Sequence, residues 1–214
     1  MQEIQAERDP GPGGYDASYR QCPCFWGTEP GRLVRLLADS TDLAGALVLD
    51  LGCGEGKNAA FLASQGCVVE AWDISAAALN NAKAAWPDIP VRWRHKDVLS
   101  ITTDLRKFDL VLAYGLYHCL SPEAIISTIA NVQRATVPDG YNITVCYNNR
   151  MQDNIASAHP AFHPTCLPHA EYVRAYTDWR TIEASDEDLT ERHPTNMIQH
   201  THSMTRLLVQ QWKP

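Results

Sequence analysis

The sequence predicts an α/β protein whose seven strands form a mostly parallel sheet with helices on both faces. Three observations support this fold class: short apolar runs alternate with segments of helical period, a glycine-rich turn follows the first run, and acidic residues follow the early runs. Strands that alternate with helices are joined by right-handed crossovers, which place them side by side in one sheet. The 214 residues suit one domain with a sizeable core.

The elements follow in order along the chain. Leu33, Leu36 and Leu37 share one face of a short first helix. Short apolar or alternating runs predict strands at 46–51, 68–72, 91–95, 108–114, 141–147, 180–186 and 203–210. Helical periods predict helices at 57–65, 76–86, 122–137 and 169–176. Pro122 suits the first turn of its helix, and Asp139-Gly140 is expected to end that helix.

Composition excludes several classes of function. The 18 Lys+Arg against 25 Asp+Glu give a net charge of −7 with no basic run, so we expect no nucleic-acid partner. No stretch approaches the roughly 20 apolar residues of a membrane span, and the N-terminus has no signal-peptide core, which predicts a cytoplasmic protein without a membrane partner. The seven cysteines are scattered, so we expect no disulfide framework.

The glycine-rich turn is the most informative motif. It runs from Gly52 through Gly54 to Gly56, with Asp50 before it and Glu55 inside it. Glycines allow a ligand to approach the backbone closely. Two carboxylates beside the turn disfavour a pyrophosphate and favour a cationic nucleoside.

Acidic residues also follow the next two strands. Asp73, after the second strand, can accept hydrogen bonds from both hydroxyls of a ribose, and Asp97 follows the third. Asp73 alone also fits a nicotinamide cofactor. However, Lys57 stands where the third glycine of that fingerprint belongs, and Gly56 comes one position early. The phosphate-loop pattern fails as well, because the turn lacks its spacing and its hydroxyl.

Together these residues resemble the class I S-adenosylmethionine-dependent methyltransferases over roughly residues 46–147, with segment 49–56 as the first motif. The resemblance implies a Rossmann-like fold and S-adenosyl-L-methionine as cofactor. It implies that Asp50 organises the turn near the methionine amine, that Asp73 holds the ribose and that Asp97 lies beside the adenine amino group. The full set of cofactor-binding residues expected on this basis is Trp26, Asp50, Gly52, Gly54, Glu55, Gly56, Asn58, Asp73, Ile74, Asp97, Val98 and Tyr114.

A narrower similarity is to the tellurite-resistance methyltransferases. It is carried by Gly56-Lys57-Asn58, by Ala71-Trp72-Asp73 and by segment 131–142. This similarity implies a small-molecule acceptor with a soft nucleophile, a thiol or a chalcogen oxyanion. The chain departs from that family where Pro194 follows His193, since the family tends to carry arginine there.

Residues 1–30 are rich in glycine, proline and aromatic residues and have no period, so we expect an irregular N-terminal arm before a single domain at 31–214. By analogy with the family, the arm is interpreted as a lid with Trp26 as its anchor. The aromatic residues expected to wall the pocket are Tyr15, Tyr19, Phe25, Trp26, Tyr114, Tyr117 and His118.

The candidate catalytic residues are Tyr117, His118 and His193. Histidine titrates near neutrality, so His118 can act as a general base or be purely structural. His200 and His202 share a strand face if their segment is extended. Together with His193 we interpret them as a polar face of the late segment, and we expect no bound metal. The alternative interpretations are that these histidines bind an anionic acceptor or a metal ion.

The sequence leaves other functions open. An O-, N- or C-methyltransferase of natural-product biosynthesis is the alternative within the class. A nicotinamide-dependent oxidoreductase and a non-catalytic nucleoside-binding module are alternatives from other classes. The expected oligomeric state is a monomer or a homodimer.

Overall fold

One seven-stranded sheet organises the molecule. The computed structural model describes residues 15–101, 107–158, 164–195 and 197–212. The strands are β1 (Leu47–Leu51), β2 (Val68–Asp73), β3 (Val91–His95), β4 (Phe108–Tyr114), β5 (Thr136–Asp153), β6 (Arg180–Glu191) and β7 (His200–Gln210). They lie in the order β3-β2-β1-β4-β5-β7-β6. β1 to β5 are parallel, whereas β7 is antiparallel to both β5 and β6. The mostly parallel sheet predicted from the sequence is therefore confirmed.

The strand order places a crevice at the centre of the sheet. From β1 the chain first moves outward through β2 to β3, and it then returns to β4 on the other side of β1. Helices after β1 and β4 consequently leave toward different sides, which opens a gap beyond the carboxyl ends of these two strands. Ligands of open α/β sheets bind at such a point. The glycine-rich turn leads directly out of β1 into this gap.

Helices cover both faces of the sheet. They are α1 (Asp16–Gln21), α2 (Arg32–Ser40), α3 (Lys57–Ser64), α4 (Ala76–Ala85), α5 (Pro122–Ala135), α6 (Ile155–Ala158) and α7 (His169–Ala175). On one face Leu37 of α2 and Leu62 of α3 pack with Val48. On the other face Ile125 of α5 and Tyr172 of α7 pack in one cluster with Leu49. Successive residues of β1 thus contribute to opposite cores, as strand geometry requires. The helices on both faces are confirmed.

Helix starts follow the expected local chemistry. The Ser75 hydroxyl accepts a hydrogen bond from the Ala78 backbone N–H and caps α4. Ser121 caps α5 in the same way, with Pro122 in the first turn. These side chains satisfy backbone N–H groups that have no partner inside the helix.

Several elements differ from the prediction. α5 ends at Ala135, and the chain passes directly into β5, so Asp139-Gly140 does not end a helix. Instead it lies in a bulge, because Phe108 pairs with Thr136 and Leu110 already pairs with Tyr141. β6 and β7 are longer than expected and extend toward Glu191 and His200. The arm contains the ordered helix α1 rather than only irregular chain.

Among the described residues, no helix is long and apolar enough to cross a membrane.

Candidate cofactor and acceptor site

The backbone of the glycine-rich turn has a conformation that residues with a Cβ atom rarely adopt. Gly52, Gly54 and Gly56 have φ angles of 65°, 54° and 78°, a region that costs other residues roughly 1–2 kcal/mol. A Cβ on Gly52 would lie 2.9 Å from a Leu116 methyl, and one on Gly54 would lie 2.8 Å from the Tyr19 hydroxyl. The turn therefore requires glycine for its conformation and for the close approach of its neighbours.

Asp73 fastens this turn to β2. Its Oδ2 accepts a hydrogen bond from the Gly54 N–H at 2.7 Å, and its Oδ1 accepts one from the Ser75 N–H at 2.8 Å. Burial raises the pKa of Asp73, and these two backbone N–H groups oppose the rise. Each carboxylate oxygen can accept more than one hydrogen bond, so both can also accept from a diol.

Two adjoining cavities open at the carboxyl ends of the strands. The donor cavity, as we call the first, has a volume of about 350 Å³. Its predicted wall residues are Asp73, Ile74, Asp97 and Val98. The acceptor cavity, as we call the second, has a volume of about 260 Å³. Tyr15, Tyr19, Gly52 and Gly115 line both cavities. The structure thus brings Asp73, Ile74, Asp97 and Val98 together at one cavity, and their role in cofactor binding stays a prediction.

Asp50 is buried below the turn with an unusual environment. It is 1% exposed, and neither carboxylate oxygen makes a well-formed hydrogen bond to a residue that the structure describes. Burial, together with the charge of Asp73, raises the pKa of Asp50 to about 8, and the backbone N–H of Ala59 opposes this only in part. A cation close to Asp50 would stabilise its ionised form.

Glu55 binds the arm. Its two oxygens accept hydrogen bonds from the backbone N–H groups of Cys24 and Phe25, both at 2.7 Å. The Asn81 amide donates a third at 2.8 Å. Glu55 also lines the acceptor cavity, but its described contacts hold the arm against α4. Its cofactor-binding role remains a prediction.

Other predicted residues complete the junction of the arm with the site. The Trp26 indole N–H donates to the Tyr19 hydroxyl at 3.3 Å, and Lys57 Nζ donates to the Trp26 carbonyl at 2.8 Å. Asn58 Oδ1 accepts from the Gly31 N–H at 2.8 Å. Trp26, Asn58 and Tyr114 all line the acceptor cavity.

His118 lies on the wall of the acceptor cavity. Its ring stacks on Tyr147 with centroids 4.0 Å apart, and its Nδ1 accepts a hydrogen bond from the Tyr147 N–H at 3.2 Å. An accepting Nδ1 carries no proton, so the neutral ring carries its proton on Nε2. His118 in this state is a hydrogen-bond donor at Nε2 rather than a base there.

Tyr117 does not match its predicted catalytic place. Its side chain is fully buried in the core under α5 and α7, stacked on Tyr172 with centroids 6.1 Å apart. It is not among the residues that line either cavity. The short 3₁₀ turn Tyr117–Cys119 directs neighbouring side chains to different sides. This geometry corrects the expectation for Tyr117, which packs the core.

The late histidines converge on one carboxylate. The Nε2 atoms of His193, His200 and His202 lie 3.7, 3.7 and 3.4 Å from Glu191 Oε1. His193 also stacks on Phe25 of the arm, with centroids 5.1 Å apart. His202 and Glu191 line the acceptor cavity, whereas His193, predicted as catalytic, is not among the residues that line either cavity. This arrangement differs from the solvated polar face that the sequence predicts. His159 and His163 lie outside the described residues.

Sequence reasoning missed much of the acceptor cavity, including Tyr147, Glu191, Met204 and Arg206. Met204 and Arg206 follow His202 at intervals of two on β7, so all three face the cavity. Had the predicted strand 203–210 been extended to His202, the alternation of side chains would have placed all three residues on one face. Glu191 has no such local signal, because only the pairing of β6 with β7 brings it to His200.

Comparisons with known proteins agree with this geometry. The family described as "Tellurite resistance protein TehB" matches residues 38–204. A probable S-adenosyl-L-methionine-dependent methyltransferase TehB of Haemophilus influenzae (strain 10810) is 30% identical over 161 residues, which cover 70% of this chain and 51% of the relative. The chain thus spans about half the length of the curated relatives that it matches first.

Two solved structures show the same fold. The crystal structure of TehB from Haemophilus influenzae has a TM-score of 0.71 at 18% identity and covers 85% of this chain and 62% of that chain. A structure described as "Conversion of a Disulfide Bond into a Thioacetal Group during Echinomycin Biosynthesis" has a TM-score of 0.70 at 23% identity and covers 92% and 90%.

Proposed function

Because the chain belongs to the TehB family, we propose that it transfers a methyl group from S-adenosyl-L-methionine to a small acceptor with a soft nucleophile, a thiol or a chalcogen oxyanion. The observation that carries the proposal is the hydrogen bond of 2.7 Å from Gly54 to Asp73. This bond joins a glycine of the turn, at the acceptor cavity, to a carboxylate at the donor cavity that is proposed to accept from a ribose.

The residues of the donor side fit this cofactor. The turn from Gly52 to Gly56 is a cradle that Cβ atoms would fill. Asp50 lies below the turn and is not among the residues that line the two cavities. Its carboxylate oxygens make no well-formed hydrogen bond to a described residue, so its ionised form would be stabilised by a ligand that carries an ammonium and a sulfonium above the turn. Asp73 and Asp97 border the donor cavity, where a ribose and an adenine would be held. The two volumes, about 350 and 260 Å³, suit a small ligand on each side.

The chain's own residues would orient the reactants and exclude water. The bound cofactor supplies an electrophilic methyl group on a positively charged sulfur. Tyr15, Tyr19 and Trp26 present aromatic surface between and beside the cavities, and such faces attract a cation by about 0.5–2 kcal/mol. Methyl transfer is an in-line displacement, so alignment in a closed cavity supplies much of the rate. The arm is proposed to be the lid of that cavity.

The wall of the acceptor cavity supports a soft, anionic acceptor. Cys53 and Met204 contribute polarisable sulfur, and Arg206 contributes a cation. The Arg206 side chain is 14% exposed and forms an ion pair with Glu187 at 3.1 Å. His118 also lines this wall. The same wall also carries Lys57 and the carboxylates of Glu55 and Glu191. The preference for a thiol or chalcogen acceptor over the phenols and amines of the alternative O- and N-methyltransferases is therefore proposed on the sulfur atoms, with Arg206 as the cation that an anionic acceptor would meet.

Binding of S-adenosylhomocysteine, measured by calorimetry, tests the donor side. We expect wild-type protein to bind it and Asp73→Asn to bind about 10- to 100-fold more weakly, since charged hydrogen bonds are lost. Asp88→Asn is the matched control, because Asp88 is exposed and outside both cavities. Failure of the wild type to bind, or equal affinities of both variants, would contradict the proposal.

An acceptor panel tests the chemistry. Formation of S-adenosylhomocysteine is measured with small thiols, selenite, tellurite, phenols and amines. Turnover with thiols or oxyanions supports the proposal, and turnover with phenols or amines alone supports the alternative acceptors. No turnover despite cofactor binding supports a non-catalytic nucleoside-binding module. Saturable quenching of tryptophan fluorescence by a reduced nicotinamide cofactor would support the oxidoreductase instead.

A further inference from the structure

We propose that Glu191, His200 and His202 bind a divalent transition-metal ion at the wall of the acceptor cavity, with His193 beside them as a fourth donor. The role given to the ion rests on the proposed function, because we infer that it binds and ionises a thiol acceptor. The site itself rests on geometry alone. Each of the three residues offers one donor atom, and these atoms lie within 4.8 Å of one another.

The distances fit metal coordination better than a network of direct hydrogen bonds. Zinc binds imidazole nitrogen and carboxylate oxygen at about 2.0–2.2 Å, so the edge of a tetrahedral site is about 3.3–3.5 Å long. The Nε2 atoms of His202, His200 and His193 lie 3.4, 3.7 and 3.7 Å from Glu191 Oε1. The distance from His202 matches this edge length. The atoms of His200 and His193 would have to move a few tenths of an ångström toward Glu191 to match it.

The orientation of His200 supports the same conclusion. Its Nδ1 lies 3.1 Å from the Ile198 carbonyl oxygen, which can only accept a hydrogen bond, so Nδ1 carries the proton. In the neutral ring, Nε2 then directs a lone pair toward the Glu191 carboxylate. A cation between the His200 Nε2 lone pair and the Glu191 carboxylate would stabilise this arrangement of two acceptors. Metal-binding histidines commonly donate their other N–H to a carbonyl in this way.

Burial and charge are compatible with an ion. The side chains of His200 and His202 are fully buried, and that of Glu191 is 23% exposed. Burial raises the pKa of Glu191, and the positive charges of a protonated His200 and of Lys57 oppose the rise. Lys57 Nζ also donates to the Trp26 carbonyl and is thereby tied to the arm. A divalent ion with one carboxylate and neutral imidazoles leaves a net charge of +1, which an anionic acceptor would balance.

The site is open toward the acceptor. Glu191 and His202 line the acceptor cavity together with Cys53 and His118. Two histidines and one glutamate form a ligand set found in catalytic zinc sites, in which a further position receives water or substrate. A thiol bound there loses its proton to solvent. The sulfur lone pair then forms the bond to the methyl carbon, and the electrons of the broken bond return to the donor sulfur, which leaves as a neutral thioether.

Titration of the chelator-treated full chain with Co²⁺ tests the site by visible absorption. We expect one equivalent with the spectrum of a four- or five-coordinate ion, displaced by Zn²⁺. His202→Ala and Glu191→Gln should weaken binding at least about 100-fold, since even outer partners of a metal ligand are worth 10–100-fold. His169→Ala is the control, because His169 contacts Thr205 away from this cluster. Absence of a Co²⁺ spectrum in the wild type would overturn the proposal.

Two further readouts separate the explanations. A thiolate-to-cobalt charge-transfer band would assign the ion to cysteines such as Cys22 and Cys24 and would also overturn the proposal. Glu191→Gln preserves size and hydrogen bonding, and its thermal unfolding shows whether loss of metal reflects loss of fold. We expect S-adenosylhomocysteine to bind these metal-site variants as it binds the wild type. Loss of Co²⁺ binding alone therefore concerns the metal site, whereas failure of the wild type to bind S-adenosylhomocysteine concerns the proposed function.

Discussion

Replacement of Glu55 by glutamine is expected to release the arm from the glycine-rich turn. The carboxylate accepts from Cys24 N, Phe25 N and the Asn81 amide at 2.7–2.8 Å. In Glu55→Gln one of these positions becomes an amide NH₂, which faces a backbone N–H instead of accepting from it. Hydrogen bonds to a charged group contribute about 1.5–3 kcal/mol each. The loss of one, with the others weakened, destabilises arm docking by about 2–3 kcal/mol.

Tryptic cleavage after Arg20 measures this release. Arg20 lies in α1, and its side chain is 65% exposed, but the helix must open before a protease can cut. When opening is fast relative to cleavage, the rate follows the open population. A change of 2–3 kcal/mol then raises the rate about 30- to 150-fold. Mass spectrometry identifies the fragment that begins at Gln21.

The control is Glu123→Gln, a change of the same size at an exposed position of α5. It should leave the cleavage rate within about twofold of the wild type, since such surface changes are worth less than about 0.5 kcal/mol. Equal cleavage rates for both variants would refute the view that Glu55 holds the arm.

Three further changes have expected outcomes. Asp50 has a folded pKa of about 8, far above its unfolded value near 3.9, so it costs stability increasingly as pH rises from about 4 to about 8. Urea unfolding should therefore show Asp50→Asn gaining stability relative to wild type across that window, and a difference independent of pH would contradict this. Gly54→Ala should weaken S-adenosylhomocysteine binding more than 10-fold by calorimetry, because its Cβ meets the Tyr19 hydroxyl at 2.8 Å. The control is Gly45→Ala, at φ 76° with no atom within 4 Å of its added Cβ. It should lose about 1–2 kcal/mol of stability but bind S-adenosylhomocysteine as the wild type does. Equal affinities of the two glycine variants would refute the view that the turn approaches the ligand closely. Tyr117→Phe should retain turnover within about twofold, because the hydroxyl lies in the core, and a large fall in kcat at unchanged cofactor affinity would restore its catalytic role.

The sequence predicts those parts of the site that depend on local patterns. The apolar run of β1, its glycine turn and Asp73 after β2 each have a signal within a few residues. Parallel strands then bring their carboxyl ends together without further information. The sequence could therefore place Gly52, Asp73 and Asp97 at the donor cavity, whereas other lining residues such as Leu116 and Cys119 were not predicted.

The acceptor side depends on contacts between distant segments. Glu55 meets Phe25 across 30 residues, a contact that its position in the motif does not indicate. Glu191 meets His200 only through the pairing of β6 and β7. Tyr117 turns into the core because a single 3₁₀ turn sets its direction. The hydrophobic periodicity of a single segment carries no information about contacts with distant segments.

Neighbouring residues of the turn are bonded in opposite directions, Gly54 to Asp73 and Glu55 to the arm. The peptide link between them makes the two attachments thermodynamically coupled. A donor molecule that shifts the turn toward the docked state favours closure, and closure must raise the affinity for that donor by the same factor. Under the proposed lid role of the arm, donor binding and arm docking would thus stabilise each other by the same free energy, and a change at Glu55 would be felt at Asp73 although the two side chains do not share a partner.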